Sequence, residues 1–429
     1  NIDLLGKYLF TATMRADATS LYTPENRWGY FPAVGAAWKI KEESFLKNSN
    51  TVQDLKLRVG WGKTGQSGIA ETDIGGGKKV GYFPSQLLFT PGNATSQYLP
   101  GVTIYSPISF SEDLTWEKTT TINFGLDFEF FKNSILSGSV DVYKRKTTDL
   151  LAVVTFPAGG TVSGDFAKNI GEIEGEGIET TLNVKAITTD KFSLSFGGNI
   201  AYNYNKVTNL EGRTVIAVTD TSVEGTGNYL MWHHVGDQPR SAWVFEQVYD
   251  GNGDAVVGAY VDRNGDGQIT NDDRYYAATQ PNWTYGFNTN VTYKNWDLSA
   301  SFRGQIGGQV YNQKQKNQGA LSSASSLNGN ALYNVLESVN PLVEFGSLNN
   351  VPFSDMYMED ATFLRCDNIS LAYKFLKFVK KSTLKVSGSV NNPFLFTNYS
   401  GQDPENFGAI DNNFYPRPTT YTLGLSLDF

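Results

Sequence analysis

Strict alternation of apolar and polar residues, sustained for about a dozen positions at a time and repeated along the whole chain, leaves little choice of secondary structure. Successive side chains of an extended strand point to opposite faces, so this pattern puts oil on one face and water on the other. Ile122, Phe124, Leu126, Phe128 and Phe130 share one face, while Thr121, Asn123, Asp127 and Glu129 share the other. Ile178, Leu182, Val184 and Ala186 alternate with Glu179, Thr181, Asn183 and Lys185 in the same way. A third run sets Phe192, Leu194, Phe196, Ile200, Tyr202 and Tyr204 against Ser193, Ser195, Asn199, Asn203 and Asn205. Trp283, Tyr285, Phe287, Val291 and Tyr293 lead through Lys294-Asn295 to Trp296, Leu298, Ala300, Phe302 and Ile306, which reads as a tight hairpin. Strands are expected over 4–16, 28–40, 52–63, 114–131, 135–149, 173–188, 192–206, 283–294, 296–311, 362–376, 382–396 and 418–429, about a dozen in all.

Strand length decides between a soluble sandwich and a membrane barrel. Sandwich strands run about five or six residues, whereas strands that cross a bilayer at a tilt need roughly 9–11. The runs here belong to the longer class. Aromatic pairs at run ends (Tyr202 with Tyr204, Trp283 with Tyr285, Tyr293 with Trp296) stand where interfacial girdles belong. The connections are of two kinds. Those at 132–134, 189–191 and 294–295 are minimal, while 66–110, 155–171, 206–281, 312–360 and 397–418 are long, rich in Gly, Asn, Ser and Pro, and without period. Short turns at one end and long outer loops at the other are the habit of transmembrane barrels, and loops this long carry function. The fold class is therefore all-β, a transmembrane antiparallel β-barrel.

Composition excludes other classes. No stretch approaches the roughly 18 consecutive apolar residues of a membrane helix, and mean hydropathy is −0.32 although 14% of residues are aromatic. Thirty-five Lys and Arg against 43 Asp and Glu leave a net charge of −8, which offers no footprint for nucleic acid. Cys366 is the single cysteine, so no internal disulfide forms. Asn1 opens directly onto an apolar run with no initiator Met and no basic leader, and a fragment or processed chain is expected. At the other end Tyr421, Leu423, Leu425, Leu427 and Phe429 alternate with polar residues. This terminal aromatic strand reads as an outer-membrane insertion signal.

Five blocks, in order, carry a resemblance: Tyr8–Asp17 (YLFTATMRAD), Arg27–Trp38 (RWGYFPAVGAAW), Asp54–Gly65 (DLKLRVGWGKTG), Ala361–Tyr373 (ATFLRCDNISLAY) and Asn392–Asp403 (NPFLFTNYSGQD). Together they resemble the C-terminal half of SusC/RagA-type TonB-dependent outer-membrane transporters of Bacteroidota. The one departure is Cys366, where the family usually has an aliphatic residue, and a free Cys behaves as a small hydrophobe. The resemblance implies that residues 1–429 form the C-terminal part of a barrel of about 22 strands, with the plug and N-terminal domains lying outside this chain. It also implies uptake of oligosaccharides or peptides under a SusD-like surface lipoprotein, with energy from the TonB complex through the N-terminal part. Two rival readings are a complete small porin of about a dozen strands and a secreted all-β adhesion or structural protein.

The sharpest local motif is Asp262-Arg263-Asn264-Gly265-Asp266-Gly267-Gln268, followed by Asp273. Oxygen donors at Asp262, Asn264, Asp266, the Gln268 carbonyl and Asp273, with Gly267 at the turn, match calcium-loop spacing. The same residues suit an Asx-rich turn that caps itself, and both readings stand at this stage. No enzyme is expected. The only histidines, His233 and His234, are adjacent and point apart in an extended chain, and neither GxSxG nor HExxH occurs. Gly62-Lys63-Thr64 lacks the upstream glycine of a phosphate loop. Loop aromatics with amide neighbours suit sugars or peptides, and Tyr82, Tyr98, Tyr229, Trp232 and Trp243 are the candidate ligand contacts; packing of the loops against one another is the alternative use for them.

Overall fold

Twelve long strands and one short one form a single antiparallel sheet in which every strand pairs with its neighbours in sequence. The computed structural model describes residues 1–68, 81–91, 105–155, 165–218, 220–223, 226–319, 350–376, 382–406, 409–412 and 415–428. The sheet strands are β1 (Ile2–Leu4), β2 (Tyr8–Ala18), β3 (Trp28–Lys39), β4 (Val52–Gln66), β5 (Glu117–Phe130), β6 (Leu136–Thr148) and β7 (Glu172–Thr188). They continue as β8 (Phe192–Asn209), β9 (Trp283–Tyr293), β10 (Trp296–Ile306), β11 (Phe363–Leu376), β12 (Thr383–Thr397) and β13 (Thr420–Asp428). β1 and β13 are its two edges and do not pair with each other.

Two expected strands end differently, each at a left-handed turn. The run 4–16 divides at Leu5 and Gly6 (φ 58° and 67°), where Lys7 N donates to Leu4 O at 3.1 Å and closes a hairpin. The run 296–311 stops at Ile306 because Gly307 and Gly308 (φ 79° and 75°) redirect the chain. Residues Gln309–Tyr311 then pair with Met358–Asp360, outside the large sheet.

The faces of the sheet are inverted relative to a soluble protein. On the outer face Val34, Leu57, Phe124, Val142, Ile200 and Phe287 are all more than two-fifths exposed. Aromatic rings form a belt beside the short connections: Tyr8 with Trp38 (centroids 6.4 Å apart), Phe192 with Tyr293 (6.4 Å), and Trp296 with Tyr373 (4.7 Å). A second belt includes Tyr202 and Trp283, 5.0 Å apart. Phe192 and Tyr202 are ten residues apart in β8, as are Trp283 and Tyr293 in β9. At ~3.4 Å per residue and a tilt of ~40°, the belts are separated by about 25 Å, the height of a barrel's apolar band. The inner face is ionic. Arg58 donates to Asp127 at 2.8 Å and to Asp141 at 2.9 Å. Gly125 leaves room for this group, since a Cβ there would sit 2.5 Å from the Asp141 carboxylate and 2.6 Å from the guanidinium.

The hydrophobic core lies elsewhere, in the long connections, which build a crown at one end of the sheet. Within the β8–β9 connection, strands Val215–Ala217, Met231–His234, Ser241–Phe245 and Arg274–Ala277 make a separate four-stranded sheet, with a hairpin of Gln247–Tyr249 and Ala255–Tyr260 beside it. Buried side chains from this unit (Leu230, Met231, Val244, Phe245) pack with Tyr311, Phe353 and Tyr357 of the β10–β11 connection and Ala409 of the β12–β13 connection.

Candidate functional site

Period-2 geometry gathers Trp232, His234, Trp243, Phe245, Arg274 and Tyr276 on one face of the four-stranded crown sheet. Register places Trp243 opposite Tyr276 and Trp232 opposite Ser241. Trp232 meets Trp243 edge to face at 5.5 Å, Trp243 lies parallel to Tyr276 at 6.3 Å, and His234 stacks on Tyr276 at 4.1 Å. Trp232 Nε1 donates to Tyr229 O at 3.3 Å, so Tyr229 joins this ledge through its backbone. Three of the five candidate ligand contacts thus come together. Tyr82 is exposed in the β4–β5 connection, and Tyr98 lies outside the described residues. Tyr276 and His234 complete the ledge without having been legible as ligand contacts, because strand Arg274–Ala277 is too short to show a period.

The two histidines do point apart. His234 Nδ1 lies 2.6 Å from Asp237 Oδ2 on the ledge side. His233 faces inward, where burial pushes its pKa down to about 4 and its Nδ1 has no partner among the described residues. Neither histidine bonds a Ser, Thr or Cys among the described residues, so no nucleophile–base pair is assembled. On the same face the Arg274 guanidinium sits 4.6 Å from the Trp243 ring, 4.5 Å from Phe245 and 4.4 Å from Phe353. Burial lowers its pKa to about 10, still charged at neutral pH, and its attraction to three ring faces ties the ledge to the 351–357 segment.

Between the crown and the inner face of β9 and β10 lies an open cleft of about 470 Å³, lined by Asn199, Gln280, Arg303, Gln305, Glu405 and Asn406 among others. Three arginines and three acids hold the β12–β13 connection against the wall here. Arg303 pairs with Asp367 at 3.0 Å and donates to Glu405 at 3.0 Å. Arg365, 3% exposed, donates to Asp403 at 2.6 Å, and Arg417 reaches Asp403 at 3.1 Å and Glu405 at 2.9 Å. The network is charge-balanced, so the cleft offers amides and paired ions rather than a net field. Of the other inward residues, Asp127 joins Arg58, Glu129 accepts from Ser134 Oγ at 2.5 Å, and Lys185 donates to Asn133 O at 3.1 Å.

In the 262–273 loop the carboxylates are engaged by the loop's own backbone. Asp262 accepts from Gly265 N (2.7 Å) and Gly267 N (2.8 Å), Asn264 from Asp266 N (2.9 Å), and Asp266 from Gln268 N (2.8 Å). Asp273 accepts from Arg263 N at 2.9 Å and Thr270 N at 2.7 Å. These bonds hold the Asp273 carboxyl below its ordinary pKa. Among the described residues no three His, Cys, Asp or Glu side chains stand in an arrangement that holds a metal ion. These hydrogen bonds are those of a self-capped turn. At the far edge, Tyr421, Leu423, Leu425 and Leu427 form an outward row on β13, exposed by 78, 78, 71 and 42%; Phe429 lies outside the described residues.

Residues 1–392 match the family model described as TonB dependent receptor-like, beta-barrel. The chain is 40% identical over its whole length to TonB-dependent receptor SusC of Bacteroides thetaiotaomicron, covering 43% of that protein. It is 29% identical over 99% of its length to TonB-dependent receptor P26 of Formosa agariphila, covering 44% of that protein. The chain therefore spans less than half the length of these relatives. Among solved structures, the RagAB peptide transporter superposes with a TM-score of 0.77 at 24% identity, over 99% of this chain and 46% of that one.

Proposed function

The chain belongs to the TonB-dependent receptor β-barrel family, of SusC/RagA type and of the Gram-negative outer membrane, and from this premise we propose that it supplies the wall and crown of a nutrient importer for oligosaccharides or peptides. The observation that carries the proposal is the inverted sheet, apolar between two aromatic belts about 25 Å apart and ionic on its inner face. Such a sheet needs lipid on one side and a polar filling on the other. The unpaired edges β1 and β13 would leave backbone donors and acceptors bare in hydrocarbon, so further strands of the same transporter close the barrel there. The porin reading asks those edges to pair with each other, which they do not. The adhesion reading leaves the outer apolar face without an occupant.

A SusD-like surface lipoprotein over the crown, and TonB acting through the plug, complete the importer in this proposal. Aromatic faces beside polar groups match the apolar faces of sugar rings, and the Trp232–Trp243–Tyr276 ledge favours oligosaccharides on that ground. The amide and ion-pair lining of the cleft at Arg303 and Glu405 favours peptides. Calorimetric titration of the full-length transporter with its lipoprotein, using oligosaccharide and peptide pools, separates the two. Trp232→Ala with Trp243→Ala is expected to weaken oligosaccharide binding about tenfold, the worth of roughly one stacking contact. Oligosaccharide binding unchanged by the pair removes the ledge from the solute's path. A full-length protein that takes up neither pool ends the importer reading.

A further inference from the structure

A groove of about 390 Å³ runs down the outer, lipid-facing side of β5–β8. Register explains it. Phe124, Val142, Ile178 and Tyr202 lie in one cross-strand row, so two smaller side chains form a floor between two aromatic walls. The next row toward the crown is Ile122, Lys144, Glu176 and Tyr204, and the one after contains Lys146, Glu174 and Lys206. The outer face thus changes from apolar to ionic at the groove's mouth. Lys144 and Lys146 stand eight and ten residues along β6 from Leu136 at the short-turn end, which places them at the outer interface of the bilayer, one and two rows toward the crown from the row that Val142 shares with Trp283 of β9. At the height of Lys144, where β8 carries the ring of Tyr204, β6 and β7 carry charges.

Lys144 lies 3.5 Å from Glu174, and Lys146 lies 2.7 Å from Glu172 and 3.8 Å from Glu174. Lys206 is exposed and forms no ion pair among the described residues. A charged patch facing sideways at the membrane boundary meets lipid headgroups rather than solute, since the lumen is on the other side of the sheet. Ammonium groups there match phosphates, glutamates match the divalent cations that bridge phosphates, and the groove below accepts acyl chains. We propose that this surface is a binding site for a phosphorylated, multiply acylated glycolipid of the outer leaflet, with its chains along Val142 and Ile178 and its phosphate at Lys144, Lys146 and Lys206. The groove is continuous with the lipid-facing band already described, and the ionic mouth sets it apart from the rest of that band.

Native mass spectrometry of the full-length transporter tests the site. The probes are lipid A extracted from the source outer membrane, the same lipid A after phosphatase treatment, and phosphatidylethanolamine. Untreated lipid A is expected to be retained at least fivefold more than either control. Lys144→Gln with Lys146→Gln and Lys206→Gln is expected to abolish that preference, and Ile178→Trp, which fills the groove without touching charge, is expected to lower retention by a similar factor. Heat-modifiable gel mobility verifies that each variant is a folded barrel. Equal retention of the three lipids, or preference undiminished in both folded variants, overturns the proposal.

Discussion

The wall and the crown solve opposite problems with the same alternation. In the wall the strands turn apolar rows outward and ions inward, except where β6 and β7 carry charges outward near the crown, so strongly exposed hydrophobic residues such as Leu423 and Leu425 are where lipid belongs. In the crown the rule reverts to that of a water-soluble protein: Met231, Val244 and Phe245 are fully buried, and most polar groups face out or pair, His233 Nδ1 being an exception. Alternation therefore reports that a strand has two unlike faces, while only its length and surroundings report which face is inside. A dozen residues between aromatic belts mark the wall; three to six residues mark the crown.

This contrast can be broken most forcefully from the crown side. Phe245→Ala empties a site closed to solvent and is expected to cost about 3–5 kcal/mol, seen as accelerated hydrogen exchange throughout 230–277 and 351–358, while heat-modifiable mobility of the barrel persists. Simultaneous loss of both would show one cooperative body. On the wall, Leu126→Arg on the outer face is expected to cost about 2–4 kcal/mol for folding into bilayers. The same residue at Asn123, on the inner face, is expected to cost under ~1 kcal/mol. Equal costs would mean that the two faces see the same solvent.

Acid sharpens the comparison further, because both histidines belong to the crown. His233 is held neutral down to about pH 4, whereas in the unfolded chain it protonates near its ordinary value of 6.5. The unfolded state then binds the extra proton, so crown stability is complete above about pH 6.5 and is lost as the pH falls toward 4, by roughly 3 kcal/mol in all. His233→Gln is expected to flatten that slope in exchange measurements; an unaltered slope would assign it to other groups. The smallest effect is expected at the 262–273 loop. Its carboxylates already accept backbone hydrogen bonds, so exchange in this loop is expected to be the same in calcium and in chelator. Protection appearing only with calcium would restore the cation reading of Asp262, Asn264 and Asp266.

How much of this was legible follows from the same contrast. All twelve long wall strands announce themselves because each repeats its pattern beyond the reach of chance, and misplacements occur where a left-handed turn interrupts the run, as at Leu5-Gly6 and Gly307-Gly308. The crown was not legible, since its pairings are nonlocal. Trp243 and Tyr276 are neighbours across more than thirty residues of intervening chain, and Phe245 packs with Phe353 from another connection. Trp232 and Trp243 could be singled out by residue type, but their mutual contact, and the part played by His234, Arg274 and Tyr276, depend on a register that no local pattern encodes. The ion network at Arg365 is similar: its acids come from the β12–β13 connection, which reads as featureless polar sequence.

In the proposed importer, the shared core of the crown bears on how solute preference can change. Leu230 and Phe245 come from one connection, Tyr311, Phe353 and Tyr357 from a second, and Ala409 from a third. Altering the length of one connection uncovers apolar surface on the other two. Recombination that exchanges a single loop is therefore penalised, and recombination that carries the three together is not. New solute preferences should be inherited as a cassette running from the start of the β8–β9 connection to the end of the β12–β13 connection. An engineer seeking to transplant specificity should cut at those two points.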